Sequence, residues 1–236
     1  MAAGLAHEMR NPLAAIEIHA GLLRRALDPA LGAHAESLDH ILAEVRRLNE
    51  AVATVLDFVR PVEIAERPVD VEALLEAATR QPCAGTVRIE RDYAPGGTVA
   101  LGDPGQLRQV FENLLRNAYE AVGASGTIHL RTRLVREGAR VERPRSAYGH
   151  DALPAEEVAE PEVLVEIADD GPGIPPDVRD KVFQPFFTTK PRGSGLGLAL
   201  VQKIVQSHRG RIDFTNGPGR GTVFRVVLPA VLGDAA

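Results

Sequence analysis

Residues 1–60 carry two apolar stripes of helical period, and a single two-helix hairpin cannot bury both. Leu5, Met9, Leu13, Ile16, Ala20, Leu23 and Leu27 step by three and four. At 100° per residue they fall within an arc of about 80°. Asp28-Pro29 and Gly32 punctuate a short connection. A second helix is predicted over 33–60, with Leu38, Ile41, Leu42, Val45, Leu48, Val52, Val55, Leu56 and Val59 as its stripe. Two long amphipathic helices joined by a short turn form an antiparallel hairpin. Pairing two copies into a four-helix bundle buries both stripes, so a homodimer is predicted.

The polar side of the first helix is the more informative one. His7 lies about 160° from the centre of the apolar arc, and Asn11 lies about 40° from His7. The two therefore share an exposed face, with Glu8 flanking it. Pro12 removes one backbone donor and leaves the Glu8 carbonyl without its usual partner, so a bend just after His7 is predicted. A neutral imidazole is a nucleophile when a neighbour holds its other ring nitrogen, and Glu8 is placed to do that. The plainer reading of His7 is a solvated histidine on a polar helix face. His19, His34, His40, His129, His150 and His208 keep that reading.

Arg60-Pro61 ends the second helix, 61–68 reads as a linker, and the pattern then changes to mixed helix and strand over 69–230. Helices are predicted over 71–79, 104–122, 176–183 and 196–208, with Asp103 capping the second of them and Pro104 at its start. Strands are predicted over 87–93, 99–101, 128–135, 163–168, 211–215 and 222–228. Residues 137–161 are charged, rich in Pro and Ala, and aperiodic, and read as a mobile insertion between two strands. The fold class is α+β.

Composition excludes several classes. The net charge of −5 leaves no electrostatic footprint for nucleic acid. A single cysteine, Cys83, excludes an intrachain disulfide and a cysteine zinc site. No apolar run approaches the roughly 18 residues of a membrane span, and no signal peptide is recognisable, so no membrane contact by this segment and a cytoplasmic location are expected. Only six residues precede His7, and a helix of this kind starts earlier. The sequence therefore reads as a piece of a longer protein, which an upstream region could anchor to a membrane.

Three further constellations lie in the second part. Asn113 and Asn117 are four apart on one helix face, and their amide oxygens suit magnesium and phosphate. Asp169-Asp170-Gly171-Pro172-Gly173 follows a strand. A carboxylate at a strand end accepts a hydrogen bond from an exocyclic amine, and Gly171 and Gly173 let a ligand approach the backbone. The plainer reading is a tight Asp-Gly-Pro turn. Gly193-Ser194-Gly195-Leu196-Gly197-Leu198 opens a helix whose free donors and dipole hold phosphates. A lone motif of this kind is weak, but it ends a loop containing Phe186-Phe187-Thr188-Thr189-Lys190, with Lys190 as a γ-phosphate contact or simply a solvated lysine.

In this order the segments resemble the core of a bacterial two-component sensor histidine kinase. His7–Leu13 resembles the H box, Asn113–Ala118 the N box, Asp169–Gly173 the G1 box, Val182–Phe187 the F box and Gly193–Leu198 the G2 box. Gly219-x-Gly221-Thr222 is similar to the closing Gly-rich strand entry. The N-P-L ending, Glu120-Ala121 and the short lid resemble the nitrogen-regulation subgroup. The resemblance implies a helical hairpin for dimerisation and histidine phosphotransfer, followed by an ATP-binding α/β sandwich of the GHKL type. It implies that ATP with Mg2+ phosphorylates His7, with Glu8 as general base, and that the phosphoryl group passes to an aspartate of a response regulator receiver domain. Asn11 is implied in the reverse dephosphorylation. Asn117 is the implied magnesium ligand, Asn113 lies near the phosphates, Asp169 binds adenine and 184–195 form the lid. Two departures stand out. Glu120 occupies a position where many relatives carry a basic residue, which leaves Arg116 to compensate. Asn113 stands where the hydrolytic ATPases of the superfamily carry the water-activating glutamate, which disfavours simple ATP hydrolysis.

Overall fold

In the computed structural model, residues 16–25, 32–59, 64–80, 86–136, 140–141, 156–157, 160–190, 194–217 and 221–231 are described. His7, Glu8, Asn11 and Gly193 lie outside them. The chain divides into two compact units, Met1–Pro61 with Thr188–Leu196, and Val62–Phe187 with Gly197–Ala236.

The first unit contains helix α1 over 16–25 and helix α2, Gly32–Val59. Arg24 Nε donates to Asp39 Oδ1 at 3.0 Å. The bond joins the last turn of α1 to the second turn of α2 across the connection, as an antiparallel hairpin allows. Ala20, Val45 and Val52 are buried, whereas Ile16, Leu23, Ile41 and Leu48 of the same stripes are each about half exposed. The hairpin thus covers one edge of each stripe and leaves the other open.

The second unit is a five-stranded sheet with helices on one face. Its strands are β1 (Arg67–Asp70), β2 (Thr86–Asp92), β3 (Val99–Gly102), β4 (Ser125–Val135), β5 (Arg140–Val141), β6 (Glu156–Glu157), β7 (Glu162–Asp169), β8 (Arg211–Asn216) and β9 (Thr222–Pro229). Its helices are α3 (Val71–Thr79), α4 (Pro104–Val122) and α5 (Gly197–Ser207). The main sheet runs β2-β4-β7-β9-β8; β2 pairs with β4 in parallel and the rest are antiparallel. The small ladder β1–β3 is antiparallel.

Period-two alternation builds the core. Val163, Val165 and Ile167 of β7 and Phe224, Val226 and Leu228 of β9 point to one side and are buried. Leu107, Val110, Phe111, Leu114, Leu115 and Ala118 of α4 are buried too, and each large side chain contributes about 1.5–3 kcal/mol by leaving water. Asp70 and Asp103 cap α3 and α4, accepting from the Ala73 and Gln106 amides. His208, fully buried just after α5, ties the helices together. Its Nε2 accepts from the Asp103 amide at 2.9 Å, while Nδ1 lies 2.8 Å from the Ile204 carbonyl and donates to it.

The other sheet face is charged. The register places Asp92, Arg131, Glu166, Arg225 and Asp213 opposite one another across all five strands. Their signs alternate, with ion pairs of 3.0, 3.2, 2.8 and 3.7 Å along the row.

Three expectations are corrected. β1 begins at Arg67, inside the segment read as linker, because Val69 finds a buried place and the backbone pairs with β3. The short helix predicted over 176–183 spans only 176–181 and is a 3-10 helix, and none of its residues is buried, so no apolar face extends it. The insertion read as aperiodic contains the short ladder β5–β6, with Arg140 opposite Glu157 and Val141 opposite Glu156.

Candidate functional site

Asp169 is the last residue on the inward face of β7, in phase with Val163, Val165 and Ile167. The alternation that buries those side chains also carries this carboxylate to the rim of the core, where it is 8% exposed. Burial pushes its carboxyl up, and the backbone amides of Gly171 and Thr222 oppose that shift. Both donors end on Oδ1, at 2.9 and 3.3 Å. Oδ2 is the oxygen left for a ligand's donor.

Glycine is required around it. A Cβ on Gly171 would stand 2.8 Å from Asp169 Oδ1 and 2.9 Å from the Ala121 carbonyl oxygen. Gly221, at φ +86°, backs onto the Asp169 carbonyl, which would lie 2.0 Å from its Cβ. Gly173 also has a positive φ, +78°. Asp170, facing away, fastens the turn to β4 by accepting from the Thr127 amide at 2.9 Å.

The second cluster lies two turns back along α4, around its middle. Asn113 is buried, its amide Nδ2 donates to the Gln109 carbonyl, and its Oδ1 accepts from the Arg116 guanidinium. A Cβ on Gly197 would come within 3.3 Å of Asn113 Oδ1 and 3.6 Å of Arg116 Nη2, so the N-terminus of α5 abuts this pair. A guanidinium beside a helix N-terminus adds positive potential to the positive end of the helix dipole, and that combination suits an anion.

One face of α4 joins the clusters. Asn113, Asn117 and Ala121 are spaced by four, and eight residues of helix span about 12 Å. Ala121 touches the Gly171 backbone and Asn113 touches Gly197. The face therefore runs from a hydrogen-bond acceptor to an anion site, with half-buried Asn117 between. No group of three or more His, Cys, Asp or Glu that could hold a metal occurs among the described residues. The Asn113 oxygen faces a guanidinium, and amide oxygens such as that of Asn117 are of the hard type that could hold magnesium.

The second unit thus brings together Asn113, Arg116, Asn117, Asp169, Gly171, Gly173, Gly197 and Thr222. Lys190, Ser194, Gly195 and Leu196 belong to the first unit. Within their loop the Lys190 amide donates to Thr188 Oγ1, the Leu196 amide to Ser194 Oγ, and Gly195 has φ +69°. In the F-box-like segment Phe183 is buried and its ring stacks obliquely on Phe214, whereas Phe186 is exposed at φ +66°. Asn216 carries no motif, and His208, expected to be a solvated histidine, is instead buried, because both its ring nitrogens find backbone partners, the Asp103 amide and the Ile204 carbonyl.

Residues 102–232 match the family described as "Histidine kinase-, DNA gyrase B-, and HSP90-like ATPase", and residues 1–63 match the "His Kinase A (phospho-acceptor) domain". A sensory histidine kinase/phosphatase NtrB of Rhodobacter capsulatus is 42% identical over 97% of this chain and 61% of its own length. A sensor histidine kinase ZraS of Escherichia coli is 34% identical over 97% of this chain and 45% of its own length. The crystal structure of full-length ShkA in complex with AMPPNP superposes with a TM-score of 0.76 at 26% identity, over 99% of this chain and 46% of that one. The chain spans about three-fifths of the first of these relatives and under half of the others.

Proposed function

We propose that this chain, which belongs to the sensor histidine kinase family, phosphorylates its own His7 from ATP and passes the phosphoryl group to an aspartate of a response regulator receiver domain. The observation that carries the reading is the polarity of the α4 face, with the Asp169 acceptor at one end and Arg116 with the α5 N-terminus at the other. A molecule with an amine-bearing base at one end and phosphates at the other matches it.

In the proposed reaction one ring nitrogen of His7 attacks the γ-phosphorus. The N–P bond forms as the bond from the γ-phosphorus to the β–γ bridging oxygen breaks, ADP leaves, and the proton of the other ring nitrogen goes to Glu8. Asp169 Oδ2 accepts from the exocyclic amine of adenine, and Gly171 and Gly173 keep the base edge unobstructed. Arg116 and the first amides of α5 hold phosphate oxygens, and the glycine-rich segment Gly193–Gly197 and Lys190 supply further phosphate donors. Magnesium held at Asn117 would neutralise phosphate charge. Asn11 serves the reverse traffic, orienting water for dephosphorylation of the regulator. A second copy covers Ile16, Leu23, Ile41 and Leu48. No described helix is long and apolar enough to cross a membrane.

The test is incubation with γ-labelled ATP and magnesium beside the His7→Gln variant. Label on the unsubstituted chain alone, lost in acid and kept in base, is the expected result. Equal label on both would remove His7 as the acceptor.

A further inference from the structure

The turn after Asp169 is held from a direction that no motif covers. The side chain of Asn216, the last residue of β8, grips both backbone groups of Ile174. Its Oδ1 accepts from the Ile174 amide at 3.1 Å and its Nδ2 donates to the Ile174 carbonyl at 3.0 Å. This is the paired exchange that a neighbouring strand would make, supplied by one carboxamide. A Cβ on Gly173, the residue before Ile174, would meet Asn216 Cγ and Nδ2 at 3.3 Å and the Gly221 carbonyl at 3.1 Å. Gly217, which follows Asn216, donates its amide to that same Gly221 carbonyl at 3.0 Å. Gly221 in turn backs onto Asp169, and Thr222, opposite Asn216 in the β8–β9 register, donates to Asp169 Oδ1.

We propose that Asn216 is a positioning residue for the nucleotide base: its carboxamide clamps Ile174 and so fixes the exit of the Asp169–Gly173 turn against the end of β8, whose neighbours Gly221 and Thr222 at the start of β9 also hold Asp169. The proposal rests on Asp169 receiving the base. Asn216 is exposed, so its truncation opens no cavity in the core. What is lost is the set of the turn, and with it the alignment of Asp169 Oδ2 and the glycine backbone around a base. Because the clamp acts at the base end of the α4 face, ATP and adenosine should suffer alike.

The experiment measures dissociation constants for ATP and adenosine, the melting temperature, and the autophosphorylation rate at saturating ATP. It compares the chain with Asn216→Ala, Asn216→Asp and Asp169→Asn. Two hydrogen bonds of ordinary strength are at stake, so Asn216→Ala should raise both dissociation constants about tenfold. The saturated rate should stay within about twofold, which a general loss of folded protein would not allow. Asn216→Asp is isosteric but sets a carboxylate oxygen against the Ile174 carbonyl, and it should weaken both ligands at least as much as alanine does. Unchanged affinity in both Asn216 variants, with Asp169→Asn weakened, overturns the clamp and leaves Asp169 as the base acceptor. A loss for ATP but not for adenosine also overturns it. Asp169→Asn binding as tightly as the unsubstituted chain would instead refute the reading of the pocket itself.

Discussion

Asp169 and Asp213 belong to one sheet, and burial pushes both carboxyls up, yet their surroundings differ in kind. Asp169 ends the inward row of β7 and has two backbone amides aimed at one of its oxygens. Asp213 ends the outward row across the five strands. Its Oδ1 is buried, takes no hydrogen bond among the described residues, and has the Arg225 Nη1 at 3.7 Å. Arg225 gives its closer donors to Glu166 and Thr215. The difference teaches that a buried carboxylate alone does not mark a ligand site. Asp169 has fixed dipoles that oppose the effect of burial and keep one oxygen available, whereas the cation nearest Asp213 is committed elsewhere.

The strongest way to break the contrast is to remove the backbone support of Asp169. Gly221→Ala would drive a Cβ to within 2.0 Å of the Asp169 carbonyl at a positive φ. It should cost at least about 3 kcal/mol of stability, read by chemical denaturation; a loss under about 1 kcal/mol would show that the backbone at Gly221 yields freely.

Asp169→Asn keeps an acceptor for the two amides and removes the charge. ATP affinity should fall by about 1.5–3 kcal/mol, or roughly 10- to 150-fold, in a titration at pH 7. Loss of fold in place of affinity would make Asp169 a structural residue like Asp213.

Asp213 sharpens the contrast through pH. Its carboxyl is pushed from 3.8 up to about 6, chiefly by burial, with Arg225 opposing. Between these values the folded chain holds a proton that the unfolded chain has released. The stability contributed by this residue is therefore full below about pH 4 and gone above about pH 6. Allowing for a side chain a quarter exposed, the difference is about 1–2 kcal/mol. Asp213→Asn should flatten that part of the stability profile, and identical slopes for both chains would put the proton elsewhere.

The smallest effect belongs to the middle of the charged row. Arg131, half exposed between Asp92 and Glu166, should lose no more than about 1 kcal/mol on replacement by Ala, and less in high salt. A larger, salt-insensitive loss would mean that the row acts as one cooperative network.

The sequence was legible where one element carries its own signal. α3 and α4 occupy the predicted 71–79 and 104–122 because each combines an Asp cap with an uninterrupted apolar stripe. Asp169 and its glycines were legible as a turn at a strand end. β1 was not, because in Arg-Pro-Val-Asp only Val69 is buried, and a four-residue strand with a proline has too short a pattern. The charged row was hidden for a different reason: each member reads as an ordinary outward charge, and only the register across five strands aligns them. His208 and Asn216 act on backbone groups 105 and 42 residues away, so no local pattern could announce them.

The tie from His208 to Asp103 also orders events on the ribosome. The start of α4 is fastened by a ring that is synthesised 105 residues later. At about 5–20 residues per second, Asp103 waits roughly 5–20 seconds for that acceptor. Through that interval α4 can form as a helix but cannot be seated at its N-terminal end. The nucleotide face it carries is therefore completed late, once α5 has emerged, and a nascent chain stalled before residue 208 should not bind ATP.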